Sequence, residues 1–335
     1  MRRWITPAFV LLFLSPAVGE LLSTSSPPVE FFQPFTLPFM AALYGCGALL
    51  VRELAFRWRQ GWPAILLLGA AYGIVEEGLA VKSFFDPNWV DLGILGVYGR
   101  WLGVNWVWSV GLAIYHAVFS IGIPILLVGL LFPAERDRPW LSAAGFRWAA
   151  AIFGATTIFM NLALTAYRPT ALAHILSAAS VVALGAWAQR VRPPTPAAPP
   201  PALASPLRVG LSAFGATLGL FFFEWFLPNT SMPALVWVVL VLGYVAWLWM
   251  RFGRRAAHPD WSPGHSLAMA AGALAFFVLA SGLAEIDPNR VDNTTGTALV
   301  GLAAVGFLIW MGRRVRSGQN PQPGLPGKPG WGVPA

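Results

Sequence analysis

The chain alternates long apolar runs with short polar breaks, and the repeat length matches a membrane rather than a globular core. Ten runs can be written, roughly 4–22, 36–55, 62–81, 106–132, 143–166, 171–189, 208–227, 232–251, 265–284 and 294–312. Each approaches the roughly 20 residues that a helix needs to cross about 30 Å of hydrocarbon. In lipid every backbone N–H and C=O must be satisfied within the protein, which makes the helix the natural element for such runs. The fifth and sixth runs are parted only by "RPT" (168–170). The pattern predicts an all-α, polytopic transmembrane helical bundle of about 10 spans.

The polar breaks orient those spans. Basic residues cluster in "MRR", "RELAFRWR", "ERDR", "QRVR", "RFGRR" and "RRVR". With the N-terminus in the cytoplasm, every Lys and Arg except Lys82, Arg100, Arg168 and Arg290 falls on the inner side. That asymmetry is the positive-inside rule, and it predicts a multi-pass protein of the cell membrane with both termini cytoplasmic. Acidic residues lean the other way: Glu20, Glu30, Glu76, Glu77, Asp86, Asp91, Glu224, Glu285, Asp287 and Asp292 lie in or near the outer half. Such a mouth favours cations. The start also fits a signal peptide, with a basic n-region, an apolar stretch and small residues at Ala17 and Gly19. Cleavage there would leave nine spans, whereas Pro16, Gly19 and Glu20 favour a retained span.

A proline-rich stretch, "RPPTPAAPPPALASP" (192–206), interrupts the pattern. It reads as a stiff, extended cytoplasmic linker. The expected organisation is a six-span N-terminal bundle carrying the polar site (1–190), the linker (191–207), a four-span part (208–312) and a disordered cytoplasmic tail (313–335). No repeat relates the two parts.

Composition sharpens this picture. Hydrophobic residues make up 57% of the 335 and charged residues 11%, against about a quarter charged in soluble domains. Many of the 17 Trp, including Trp62, Trp106 and Trp225, sit at the ends of apolar runs, where amphipathic rings suit the headgroup layer. The net charge of +8 does not indicate nucleic acid, because its bases are spread over short inter-span clusters. Cys46 is the only cysteine, so neither an intrachain disulfide nor a thiolate metal site arises. The expected partner is the lipid bilayer.

Chemistry enters with the polar residues inside spans. Glu76 and Glu77, in "GIVEEGLAVKSFFDPNW", lie about 20 Å along the third span at 1.5 Å per residue. A carboxylate at that depth is costly and is a functional candidate by default. Gly69, Gly73 and Glu77 recur every four residues, a small-residue stripe against which another helix can pack. Glu76 lies about 100° around the helix, above Tyr72, whose hydroxyl could donate to it. On the fourth span His116 falls near the midplane, in a stripe with Ser109, Ala113 and Ser120. Two carboxylates with different neighbours, beside an imidazole, suit general acid/base work. The expected catalytic residues are Glu76, Glu77 and His116. Two oxygens and an imidazole nitrogen could also hold a divalent metal.

Between these spans runs an outer loop of about 25 residues, long enough to suggest a role. Asp86 before Pro87 signals a turn, and Trp89, Trp101, Trp106 and Trp108 suggest an interfacial lid. Lys82 and Arg100 are the expected counter-charges of the glutamates. Tyr72, Lys82, Asp86, Arg100, Ser120 and Glu20 complete the expected binding set. Arg52, beside Glu53, reads as a snorkelling anchor. Asn161, His174 and Glu224 read as isolated structural residues.

A double glutamate on one membrane helix with a histidine on the next resembles the CAAX-protease and bacteriocin-processing (CPBP) family of intramembrane proteases. The resemblance rests on Glu76, Glu77 and His116 and covers about 45 residues. It implies a glutamate general base, with the second carboxylate and the imidazole orienting water, and a membrane-embedded peptide as substrate. Val81, followed by Lys82, stands where that family has Arg, and Leu112 where it has Phe. The same residues would also serve a proton- or cation-coupled transporter of a cationic small molecule, or a scaffold whose polar cluster only locks helices together.

Overall fold

The computed structural model describes residues 5–90, 92–191 and 202–317. Most of the expected linker and residues 318–335 of the expected tail lie outside the described residues. Among the described residues, nine helices are long and apolar enough to cross a membrane, and a shorter apolar helix precedes them. In chain order they are α1 (Pro7–Leu22), α2 (Thr36–Arg57), α3 (Trp62–Ala80), α4 (Trp106–Leu131), α5 (Ala143–Leu164), α6 (Ala171–Ala188), α7 (Pro206–Asn229), α8 (Ala234–Ala256), α9 (Pro263–Ile286) and α10 (Thr297–Arg316). The molecule is a helical polytopic bundle. Its last helix runs to Arg316 and sets Arg313, Arg314 and Arg316 in the final turn, where cations complement the unpaired carbonyls.

Local sequence explains the boundaries. Side-chain oxygens of Thr6, Asn105, Ser142 and Thr170 accept the first free amides of α1, α4, α5 and α6, as N-caps do. The break between α5 and α6 is wider than "RPT": α5 ends at Leu164, residues 165–170 are non-helical, and Thr170 caps the next helix.

Burial divides the helices into two groups. The apolar windows of α2, α3 and α4 are 72%, 61% and 72% buried, against 11% to 28% in α5 through α10. The outer helices present Ile158, Val182 and Leu242 to the surroundings, as suits a face turned to acyl chains. Helix α1 packs against α2 and α4. Its Ser15 Oγ donates to Tyr44 O (3.1 Å) and Ser120 O (2.7 Å). A Cβ on Gly45 would sit 2.2 Å from Leu12 O, so α1 and α2 touch backbone to backbone. Removing residues 1–19 as a leader would take these contacts away.

Helices α3 and α4 meet along the small-residue stripe. A Cβ on Gly73 would lie 3.1 Å from His116 Cβ and 3.3 Å from Ala113 Cα. One apolar cluster crosses the expected six-span and four-span parts, joining Val18, Phe119 and Leu127 to Leu220, Phe277 and Met311.

Regular α-helix gives way to π-helical turns at Ala17–Leu22 in α1, Ala41–Gly45 in α2, Val75–Ala80 in α3 and His116–Gly122 in α4. A π turn widens the helix and rotates the residues beyond it about the axis; such turns recur at functional sites. After α3, Lys82 adopts a left-handed φ of 67°, and the loop continues to a hairpin of β1 (Arg100–Trp101) and β2 (Val104–Asn105). Leu102 and Gly103 between them have φ of 51° and 75°, the double positive φ of a two-residue hairpin turn. Phe84, Phe85 and Leu92 anchor this loop inward while Trp101 and Leu102 face out.

Candidate active site

The π turns of α1 to α4 converge on His116, which is 2% exposed. Its Nδ1 lies 3.0 Å from Ser120 Oγ and 3.3 Å from Glu76 Oε2, and its Nε2 lies 3.2 Å from Glu77 Oε1. Regular helical geometry would aim adjacent carboxylates at different neighbours. The π turn that opens at Val75 instead lets both reach one ring, on its two nitrogens. The contact between Gly73 and His116 permits that approach.

A second layer holds these groups. Ser83 Oγ donates to Glu77 Oε2 and accepts from Trp108 Nε1 at 3.0 Å. On the other side, the Tyr44 hydroxyl donates to Glu20 Oε1, and Ser26 Oγ donates to Glu20 Oε2 at 3.0 Å. The Tyr115 hydroxyl donates to Gly19 O at 2.6 Å. The rings of Tyr44, Tyr72 and Tyr115 stand 6.0, 5.8 and 5.3 Å from the imidazole, centroid to centroid. The Tyr72 hydroxyl stands beside Glu76 as expected, but Tyr72 Oη and Glu76 Oε2 are both buried without a well-formed hydrogen bond. Unpaired buried polar atoms are uncommon and ask for an explanation.

The expected counter-charges lie elsewhere. Lys82 is fully buried, and its Nζ donates to Asn161 O (2.7 Å) and Thr165 O (3.0 Å). These carbonyls belong to the frayed end of α5, where helix termini leave acceptors unpaired; Arg168 serves the same end through Asn161 O and Leu162 O. Arg100 donates to Phe85 O, Asp86 O and Gly96 O, fastening the loop to itself. Asp86 Oδ1 accepts from the Asn88 amide in a local turn. Among the described ion pairs, none joins a Lys or Arg to Glu20, Glu76 or Glu77. Three carboxylates therefore surround one imidazole.

Sequence reasoning passed over Tyr44, Ser83 and Tyr115. Tyr44 did carry a signal, as a hydroxyl set among small residues in "AALYGCGALL". Asn161 and His174 are not isolated: Asn161 Nδ2 donates to Leu79 O at 2.6 Å and lies 3.1 Å from His174 Nε2. Glu224 lies over Gly111, and its Oε1 is buried without a hydrogen bond.

The trio offers one ligand atom each, all within 4.8 Å of one another. Two carboxylates and an imidazole at that spacing can polarise a water, pass a proton or bind a cation. The likeness to the CPBP proteases stays confined to this trio, since no match to that family accompanies it. No curated protein and no solved structure matches the chain. The model of an uncharacterized membrane protein family matches residues 9–316, and the chain belongs to that family.

Proposed function

We propose that this protein is an intramembrane hydrolase, peptidase-like in kind, that uses Glu76, Glu77 and His116 to activate water against a membrane-embedded substrate. The observation that carries this reading is the approach of both carboxylates to the two nitrogens of one buried imidazole. Glu77, steadied by Ser83, is the general base that takes the proton of the attacking water. His116, oriented by Ser120, relays that proton to the leaving group, and Glu76 offsets the positive charge that develops on the ring. Tyr72, with its hydroxyl buried and unpartnered, is the donor for the oxyanion of the tetrahedral intermediate. In this reading the loop that follows α3, which meets the site through Ser83, serves as its lid, and the Arg-rich ends of the helices face the cytoplasm.

The test is cleavage of single-span peptides by the purified chain in nanodiscs. Wild type should cut, whereas Glu77→Gln and His116→Ala should not. Equal turnover in all three would end the reading. Transport is the second reading, favoured by Glu20 as a third carboxylate. It predicts solute uptake into liposomes that collapses with the proton gradient, and gradient-independent uptake would exclude it.

A further inference from the structure

Charge balance carries the site one step further. Even with His116 protonated, Glu20, Glu76 and Glu77 leave the group with surplus negative charge, and no described Lys or Arg pairs with them. Uncompensated charge is expensive in a low-dielectric interior. Protons or a cation must make up the difference, and the geometry favours a cation.

The first observation is spacing. Carboxylate oxygens and imidazole nitrogens bind first-row divalent ions at about 2.0–2.2 Å, which sets neighbouring ligands roughly 3.3–3.6 Å apart around a tetrahedral centre. The contact of His116 Nε2 with Glu77 Oε1 is 3.2 Å, close to one such edge. The widest separation in the trio, 4.8 Å, asks only for a side-chain adjustment of about 1 Å.

The second observation is independent of the acids. Tyr72 is 4% exposed, its ring packs against the imidazole, and its hydroxyl has no partner. Glu76 Oε2, also 4% exposed by residue, is likewise without a hydrogen bond. A buried phenol oxygen without a hydrogen bond, beside a carboxylate oxygen whose polar contact is His116 Nδ1 at 3.3 Å, is what a bound group would engage.

The third observation is the outer layer. Metal-binding histidines and carboxylates are held from behind by hydrogen bonds that fix their orientation. Ser120 on Nδ1 leaves Nε2 free to ligate, and Ser83, backed by Trp108, holds the far oxygen of Glu77. Tyr44 and Glu20, hydrogen-bonded to each other, bring α2 and α1 to the same cluster.

We propose that Glu76, Glu77 and His116 bind one divalent transition-metal cation of the zinc or manganese class, with Tyr72 facing the open coordination position. This deepens the hydrolase reading, on whose site it rests: a bound ion would supply Lewis-acid polarisation of water. Glu77 and His116 would then act as its ligands instead of as base and relay, and the non-ligating oxygen of Glu76 would carry the water's proton to the leaving group. Ion binding itself needs no turnover.

The experiment uses the full chain in nanodiscs, purified without chelator. Metal content is measured directly, and unfolding temperature is followed as Zn²⁺ or Mn²⁺ is returned after chelation. Wild type should hold about one ion per chain and gain stability on its return, as a ligand of the folded state must confer. Glu77→Gln should lose both. Ser120→Ala keeps all three ligands and should bind roughly 10–100-fold more weakly, which guards against misfolding of the first variant. Wild type that takes up neither ion, or Glu77→Gln that binds as well as wild type, overturns the proposal. Cleavage by an ion-free chain would remove the cation and leave the hydrolase. An ion-loaded chain that cleaves nothing would do the reverse.

Discussion

Two buried charged clusters sit in this bundle, and they are built on opposite plans. Near the Arg-rich end, Arg52 Nη1 donates to Glu53 Oε1 at 2.6 Å, and Arg52 Nη2 reaches Arg136 O and Arg138 O. Glu53 also accepts from Arg57 and from the Trp140 amide, and the indole of Trp140 stacks 4.1 Å from the Arg52 guanidinium. Glu53 is fully buried and Arg52 nearly so, which corrects the expectation that Arg52 snorkels to water. Charge is matched here, and the cluster ties α2 to the loop before α5. Around His116, by contrast, carboxylates outnumber bases and two polar atoms stay open. A structural lock pairs every charge it buries; a site that handles protons, water or a cation leaves some unmatched. Among the described residues, the want of a matching base, more than the presence of acids, is what sets the His116 cluster apart from the Arg52 cluster.

Substitutions can break this contrast, and the largest effect belongs to the open cluster. Glu77→Gln removes the proposed base and should cut cleavage of a membrane-embedded peptide about 10²–10⁴-fold. With the ion chelated from both chains, its stability in thermal unfolding should stay within about 1 kcal/mol of wild type, because the amide keeps Ser83 as a partner. Arg52→Ala is the mirror image. It strands a buried carboxylate and should cost about 3–5 kcal/mol of stability, while protein that remains folded turns over normally.

Smaller effects sharpen the comparison. Tyr72→Phe deletes a hydroxyl that bonds to nothing, so unfolding should be unchanged while turnover falls about 10²–10³-fold. A stability loss with intact turnover would instead make Tyr72 part of a lock. Ser83→Ala frees the far oxygen of Glu77 and should weaken ion binding or turnover by roughly 10–100-fold, the smallest change of the set.

The sequence made the spans legible because apolar runs of membrane length admit few alternatives, and the trio legible because charged residues in such runs are costly. It also marked the Gly69 and Gly73 stripe as a place for close helix approach, which α4 takes. The partners of the trio were harder to read. Tyr44 arrives through a π turn, which displaces side chains from the 3.6-residue register on which helical stripes depend. Both glutamates reach one imidazole for the same reason. Lys82 and Arg100 are near the glutamates in sequence, but backbone carbonyls at the α5 terminus and in the loop claim them first. Nothing in a linear pattern of charges reports that competition. Arg52 misled for a related reason: its carbonyl acceptors lie more than eighty positions away in the chain.

The central claim is that the carboxylate–imidazole cluster between α3 and α4 does chemistry rather than holding helices together. The most direct measurement pairs thermal unfolding with cleavage of a single-span peptide for wild type, Glu77→Gln and Arg52→Ala in the same nanodiscs. The account predicts a Glu77→Gln chain as stable as ion-free wild type and without cleavage, beside an Arg52→Ala chain that melts early yet cleaves while folded. A Glu77→Gln chain that melts as early as Arg52→Ala and cleaves at the wild-type rate while folded would contradict it.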